Sequence, residues 1–194
     1  MKYFKKLVGE KVYLSPVSIE DVPTYCEWLN DLEVAGNLVI YHQQLGIARE
    51  KAILEDMMKN DAKMFAIVDS ATDKLIGNGS IFNINQRNNK ADLGIFIGDK
   101  TYWNRGYGSD AVKLLLDFGF SILNLNNIML EVFSYNERAI AAYKKAGFKT
   151  IGARRQAVQY AGQKYDEIYM DILAEEFTSP YVAKFFPKPE KDKE

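Results

Sequence analysis

Two rhythms of apolar and polar positions run along the chain. In "KVYLSP" (11–16), "KMFAIVD" (63–69), "LIGNGSIFNIN" (75–85) and "ADLGIFIG" (91–98), apolar residues are continuous or recur at every second place, as in strands. The polar turns "SATDK" and "QRNNK" join the last three, which predicts an antiparallel meander. Between the first strand and the meander the period lengthens. Val22, Tyr25, Cys26 and Leu29 share one helical face that should end near Asn30, and Ser18 with Asp21 resembles a capping box at its start. An irregular stretch, "AGNLVIYHQQLG", separates this helix from a second over 47–59, with Ile47, Leu54, Met57 and Met58 as its expected apolar side.

The second half changes character. Gly106 and Gly108 lead into a helix that carries Ala111, Leu114, Leu115, Phe118 and Ile122 at helical spacing, and "NLNN" ends it. "IMLEVFSY" follows as a strand, with Ile128, Leu130 and Val132 on one side and Met129, Glu131 and Phe133 on the other. Asn136 is placed to cap the helix "ERAIAAYKKA", and Gly147 stands where a left-handed terminal residue belongs. A hairpin turning at "AGQK" completes the chain. Strands, helix, strand, helix, strands: the order predicts a mixed α/β (α+β) fold with one crossover in its middle. Its 194 residues fit a single domain over 1–177, followed by a charged, proline-broken tail over 178–194 that is expected to be partly disordered.

Composition narrows the chemistry. A formal net charge of -1 gives no global field to concentrate nucleic acid or an anionic membrane, so neither is expected as a partner. Cys26 and His42 are the only residues of their kinds, which excludes an internal disulfide and leaves too few ligands for a zinc site. No metal is expected. The amino terminus lacks the apolar stretch of a secretory signal, and no window approaches ~18 uninterrupted apolar residues, so a cytoplasmic protein is expected, as monomer or homodimer.

The glycine pair in "TYWNRGYGSDAVKLLLDFGF" (101–120) is the strongest chemical signal. A strand that runs into a glycine-bearing turn and a helix start brings unpaired N–H groups and the positive end of the helix dipole to one point. Gly106 and Gly108 would let a diphosphate reach those amides, with Arg105 adding charge at the rim; equally, two glycines can merely shape a turn. A P-loop is excluded because no lysine follows Gly108. A dinucleotide fold is disfavoured, although Glu131 falls near the right distance, because the preceding strand belongs to a meander rather than a parallel series.

"WNRGYGSDA" resembles the pyrophosphate loop of the GNAT superfamily of N-acetyltransferases, [QR]-x-x-G-x-[GA] between a strand and a helix, except that Trp103 stands at its first position. "YWNRGYG" is similar to the "YWGKGYG" form in the branch that acetylates ribosomal-protein N-termini. "NERAIAAYKKAGF" resembles the later helix of the same family, with an Asn at the cap, a Tyr seven residues on and a closing Gly-Phe. The resemblance covers residues 8 to 175 and implies a central sheet whose middle strands splay apart, flanked by helices. Acetyl-CoA is the implied donor, and a primary amine on a small molecule or peptide the acceptor, in a direct transfer; the alternative is a non-catalytic acyl-CoA-binding module.

By this resemblance, Trp103, Asn104, Arg105, Gly106, Tyr107, Gly108 and Ser109 hold the pyrophosphate, and the end of "GIFIG" pairs with the pantetheine arm. Asn136 touches the same arm, and a main-chain N–H of Phe96 or Ile97 stabilises the oxyanion. Tyr143 is the implied acid for the leaving thiolate; its plain alternative is a core tyrosine that staples helix to sheet. Asp92 and Glu131 are the candidate bases, each also readable as a solvated or salt-bridged strand residue. Tyr25 and Trp28 are placed at the acceptor pocket or, equally, in the core. The acceptor is open among N-termini, polyamines, aminoglycosides and amino sugars. An α-amino group, with its lower pKa, is the expected choice.

Overall fold

The computed structural model describes residues 2–59 and 62–186. Strands β1 (Leu7–Val8) and β2 (Val12–Pro16) precede helices α1 (Val22–Asn30), α2 (Leu32–Ala35) and α3 (Ile47–Lys59). The meander follows as β3 (Lys63–Asp69), β4 (Leu75–Asn85) and β5 (Lys90–Ile97). Then come α4 (Tyr107–Asp117), β6 (Asn127–Phe133), α5 (Glu137–Ala146) and the hairpin β7 (Lys149–Tyr160) and β8 (Gln163–Leu173). The strands form one sheet in the order β1-β2-β3-β4-β5-β6-β8-β7, antiparallel except for β5 beside β6.

That one parallel pair is the feature on which the site depends. β5 and β6 are paired only at Lys90–Asn127, Ala91–Ile128 and Asp92–Met129, whereas β5 continues to Ile97 and β6 to Phe133. Beyond Asp92 the two strands part, and the sheet is open between them.

Alternation of side chains assigns each residue to one side of this opening. Leu93, Leu130 and Val132 join Leu114 and Leu115 in a core beneath α4, against which Ile95, Ile97 and the α5 residues Ala139, Ile140 and Tyr143 pack. Burying each of these leucines contributes about 1.5–3 kcal/mol. Tyr25, Leu29, Leu54, Ala66 and Val68 form a second core on the opposite face, beneath α1 and α3, with Phe96 packed against it. Asp92, Gly94 and Phe96 therefore share a face with Met129, Glu131 and Phe133, away from α4.

Local signals account for most elements. The Asn136 side chain accepts the Ala139 N–H at 3.2 Å, and Gly147 closes α5 at φ +107°. Beyond α4 the chain continues helically to Ile122 in a widened turn, with Leu123 N–H donating to the Phe118 carbonyl five residues back. Two local expectations are corrected. Ser18 does cap, accepting from Glu20 N–H, but Asp21 does not return the bond; its buried carboxylate takes the Tyr3 hydroxyl at 2.9 Å and the Lys2 ammonium instead. On α3 the buried residues are Glu50 and Leu54, while Ile47 and Met58 are exposed.

Past Phe177 the chain packs on. Tyr181 and Val182 are buried, their N–H groups both donate to Asp117 at 2.9 Å, and the Tyr181 hydroxyl donates to Asp110 at 2.6 Å. Residues 187–194 of the expected tail lie outside the described residues.

Candidate active site

Gly106 adopts φ +85° at the cap of α4, and Asn104 before it adopts φ +58°, so the loop turns through two left-handed residues. The first intrahelical bond runs from Asp110 N–H to the Gly106 carbonyl at 3.1 Å. The N–H groups of Tyr107, Gly108 and Ser109 precede it and are aimed out of the helix end. Gly108 has no conformational need to be glycine. A Cβ there would meet only Ile97 Cγ1 at 3.6 Å, an ordinary contact, and the residue lines a cavity of about 1010 Å³. The missing side chain leaves room for something outside the protein. Arg105 is exposed at the rim, and Lys11 adds a second cation, its Nζ donating to the Arg105 carbonyl at 2.7 Å. Lys11 comes from the start of the chain, so only the fold brings it to the loop.

Trp103 departs from the family pattern and has a defined job here. Its indole N–H donates to the Ile97 carbonyl at 2.7 Å, and the Arg138 guanidinium stacks 3.9 Å from its ring centre. The Ile97 carbonyl is thus taken, and a pantetheine arm would have to pair with the rest of the β5 edge. Main-chain direction alternates along a strand. The Phe96 carbonyl points at Gly77 on β4, where an added Cβ would sit 2.2 Å from it, so Ile97 turns its N–H towards the opening. Of the two expected oxyanion donors, Ile97 is the one on the correct side.

Asn136 and Tyr143 line the same cavity from α5. The Tyr143 ring packs on Phe148 with centres 5.8 Å apart, and no protein group among the described residues bonds its hydroxyl. Burial pushes this phenol up to about 12, against a smaller lowering by Arg138. At neutral pH it is a proton donor.

The opposite face carries the carboxylates. Asp92 lines the cavity at the last paired position of β5 and accepts the Asn83 amide at 2.7 Å. Glu131 faces it across the opening. Its carboxyl is raised, first by desolvation and then by the neighbouring charges of Glu167 and Asp92. Glu50, from α3, lines the cavity as well and is 7% exposed. Helical period does not mark it, because a charged residue on an amphipathic helix reads as solvent-facing.

Tyr25 also borders the cavity, in edge-on contact with Phe96 at 6.3 Å. Trp28 is not among the residues that line the cavity and packs behind this wall. Its indole covers Gly98 so closely that a Cβ there would sit 2.0 Å from the ring, and it packs on Phe96 at 6.3 Å.

Residues 11–149 match the Acetyltransferase (GNAT) domain. The chain is 29% identical over 174 residues to the uncharacterized N-acetyltransferase p20 of Bacillus licheniformis, across 88% of this chain and 97% of that protein. It is 32% identical over 101 residues to the spermidine N(1)-acetyltransferase of Escherichia coli strain K12, across 52% of this chain and 54% of the relative. The spermidine N-acetyltransferase of Vibrio cholerae, solved with CoA and spermine, shares the fold at a TM-score of 0.77 and 22% identity, over 85% of this chain and 96% of that one. The splayed sheet, the glycine loop and the family match agree: the chain belongs to the GNAT family of acetyltransferases.

Proposed function

We propose that this N-acetyltransferase moves an acetyl group from acetyl-CoA directly to a cationic primary amine. The observation that carries this reading is the opening between β5 and β6, which joins an anion-binding loop on one face to carboxylates on the other. The pyrophosphate lies on the N–H groups of Tyr107, Gly108 and Ser109, with Lys11 and Arg105 beside it. The thioester then reaches the opening, where Ile97 N–H takes the developing oxyanion. Asp92 or Glu131 accepts the proton that the ammonium must lose before attack, directly or through water. Tyr143 protonates the departing thiolate. Neither Cys26 nor His42 lines the cavity, which agrees with a transfer that forms no acyl-enzyme.

The chamber bears on the acceptor. Asp92, Glu131 and Glu50 line the cavity, and so do Arg49 and Arg138, which are turned to Gln43 and to the Trp103 ring; Arg154 lies outside it, near enough to act on Glu131. A peptide or protein N-terminus brings one ammonium to these carboxylates, and a polyamine brings several. Three carboxylates, against two arginines already engaged by Gln43 and Trp103, favour a polyamine, as does the likeness to a spermidine acetyltransferase. The test is CoA release by the purified protein with spermidine, an aminoglycoside, a peptide with a free N-terminus and its N-blocked counterpart. Preferred turnover of spermidine is expected; exclusive use of the free peptide would assign the N-terminal acceptor instead.

A further inference from the structure

Glu50 is a carboxylate in a place that offers it nothing. It is 7% exposed, it borders the cavity, and no cation or hydrogen-bond donor among the described residues reaches its oxygens. The adjacent Arg49 is turned to Gln43, donating to its side-chain carbonyl at 2.9 Å. Buried charge without a partner is destabilising, and natural interiors rarely keep it. Beside it the Tyr25 phenol is 1% exposed, and its hydroxyl has no partner within bonding geometry, although the Asn78 amide lies close enough to lower its pKa. The Glu50 charge acts in the other direction on the same phenol. An unpartnered buried phenol oxygen and a carboxylate that opens on the cavity without a protein partner therefore meet at one end of the chamber.

Their position separates them from the two candidate bases. Tyr25 and Asn78 both adjoin Phe96, through ring contact and strand register respectively, on the α1 and α3 side of the sheet. Asp92 and Glu131 belong to the edge of the opening, where the strands part. An acceptor whose reacting nitrogen lies at the opening, with Asp92 or Glu131 reached directly or through water, would extend its remaining chain over a lining that includes Ile53 and Leu29, towards Glu50.

We propose that Glu50 and the Tyr25 hydroxyl form a second subsite that holds the distal ammonium of a diamine or polyamine acceptor. This rests on the transferase reading above. An ammonium supplies what both groups lack: a positive charge for the carboxylate and donors for the phenol oxygen. The methylene chain suits the apolar lining between the two ends. Glu50 then sets specificity by charge, and the chemical step remains with the groups at the opening.

The experiment compares spermidine with butylamine, which has one ammonium, as acceptors for the full chain and for Glu50→Gln and Glu50→Asp. Glu50→Gln should raise KM for spermidine about tenfold or more, leave kcat nearly unchanged and leave butylamine kinetics alone. Glu50→Asp should retain part of the preference. Thermal unfolding of Glu50→Gln should not fall, because the substitution removes an unpaired buried charge; a lowered midpoint with equal losses on both amines would make Glu50 structural and overturn the proposal. An unchanged spermidine KM would overturn it too. Calorimetric titration of spermidine into the CoA-loaded protein keeps the two readings apart. Glu50-dependent binding without turnover of any amine counts against the transfer alone, and turnover with Glu50-independent binding counts against the subsite alone.

Discussion

The indole N–H of Trp103 donates to the carbonyl of Ile97 at 2.7 Å, and this bond ties the glycine loop to the end of strand β5 at the opening. Donor loop and oxyanion strand are thereby held in one register. Trp103→Phe keeps an aromatic face for Arg138, though a smaller one, and removes the donor. A bond of this kind contributes about 0.5–1.5 kcal/mol, so CoA affinity should fall by roughly twofold to tenfold with the fold intact. Calorimetry on the folded variant checks this; unchanged affinity would make the bond incidental.

Tyr143→Phe should leave CoA affinity nearly unaltered and lower turnover by about 10²-fold, provided that thiolate departure limits the rate. With the phenol at about 12, the parent remains protonated throughout the useful range. Steady-state kinetics on the best acceptor decide the matter. A variant that turns over at the parental rate would return Tyr143 to a packing role.

The pH dependence has a definite sign. Glu131 works as a base only when ionised, and desolvation with the Glu167 and Asp92 charges raises its pKa. Activity should therefore fall as pH drops through a value above the ordinary carboxylate range, giving an acidic limb in kcat/KM. Glu131→Gln should lower the rate and abolish that limb. If the limb persists in Glu131→Gln and vanishes in Asp92→Asn, Asp92 is the base.

These predictions draw on different depths of the sequence. The glycine loop and α5 were legible because their signals are local: positive φ at Gly106 and Gly147, and a cap at Asn136. The meander was legible from its polar turns. Glu50 was not, because burial of a charged residue is decided by what packs around it and not by helical period. Lys11 was not, since its place beside Arg105 depends on the whole sheet. Trp28 resembled a pocket aromatic, and only Gly98 beneath it shows where its face is used.

The same long-range ordering supports a stability prediction. Asp110, at the first turn of α4, accepts from Lys11 N–H, Val12 N–H and the Tyr181 hydroxyl. Tyr181→Phe leaves the carboxylate short of one buried donor and should cost about 1–3 kcal/mol. Denaturant unfolding monitored at equilibrium would show a lower midpoint at unchanged slope. An unshifted midpoint would mean that water replaces the hydroxyl without loss.

The space at Gly108 is proposed to exist for the pyrophosphate of CoA. Since a Cβ at this position meets only Ile97 Cγ1 at 3.6 Å, Gly108→Val should fold with little change in thermal midpoint. Calorimetric titration with CoA is the direct measurement. The affinity should be at least about tenfold weaker, or ~1.4 kcal/mol, in the folded variant; undiminished affinity there would rule out a pyrophosphate seat at Gly108.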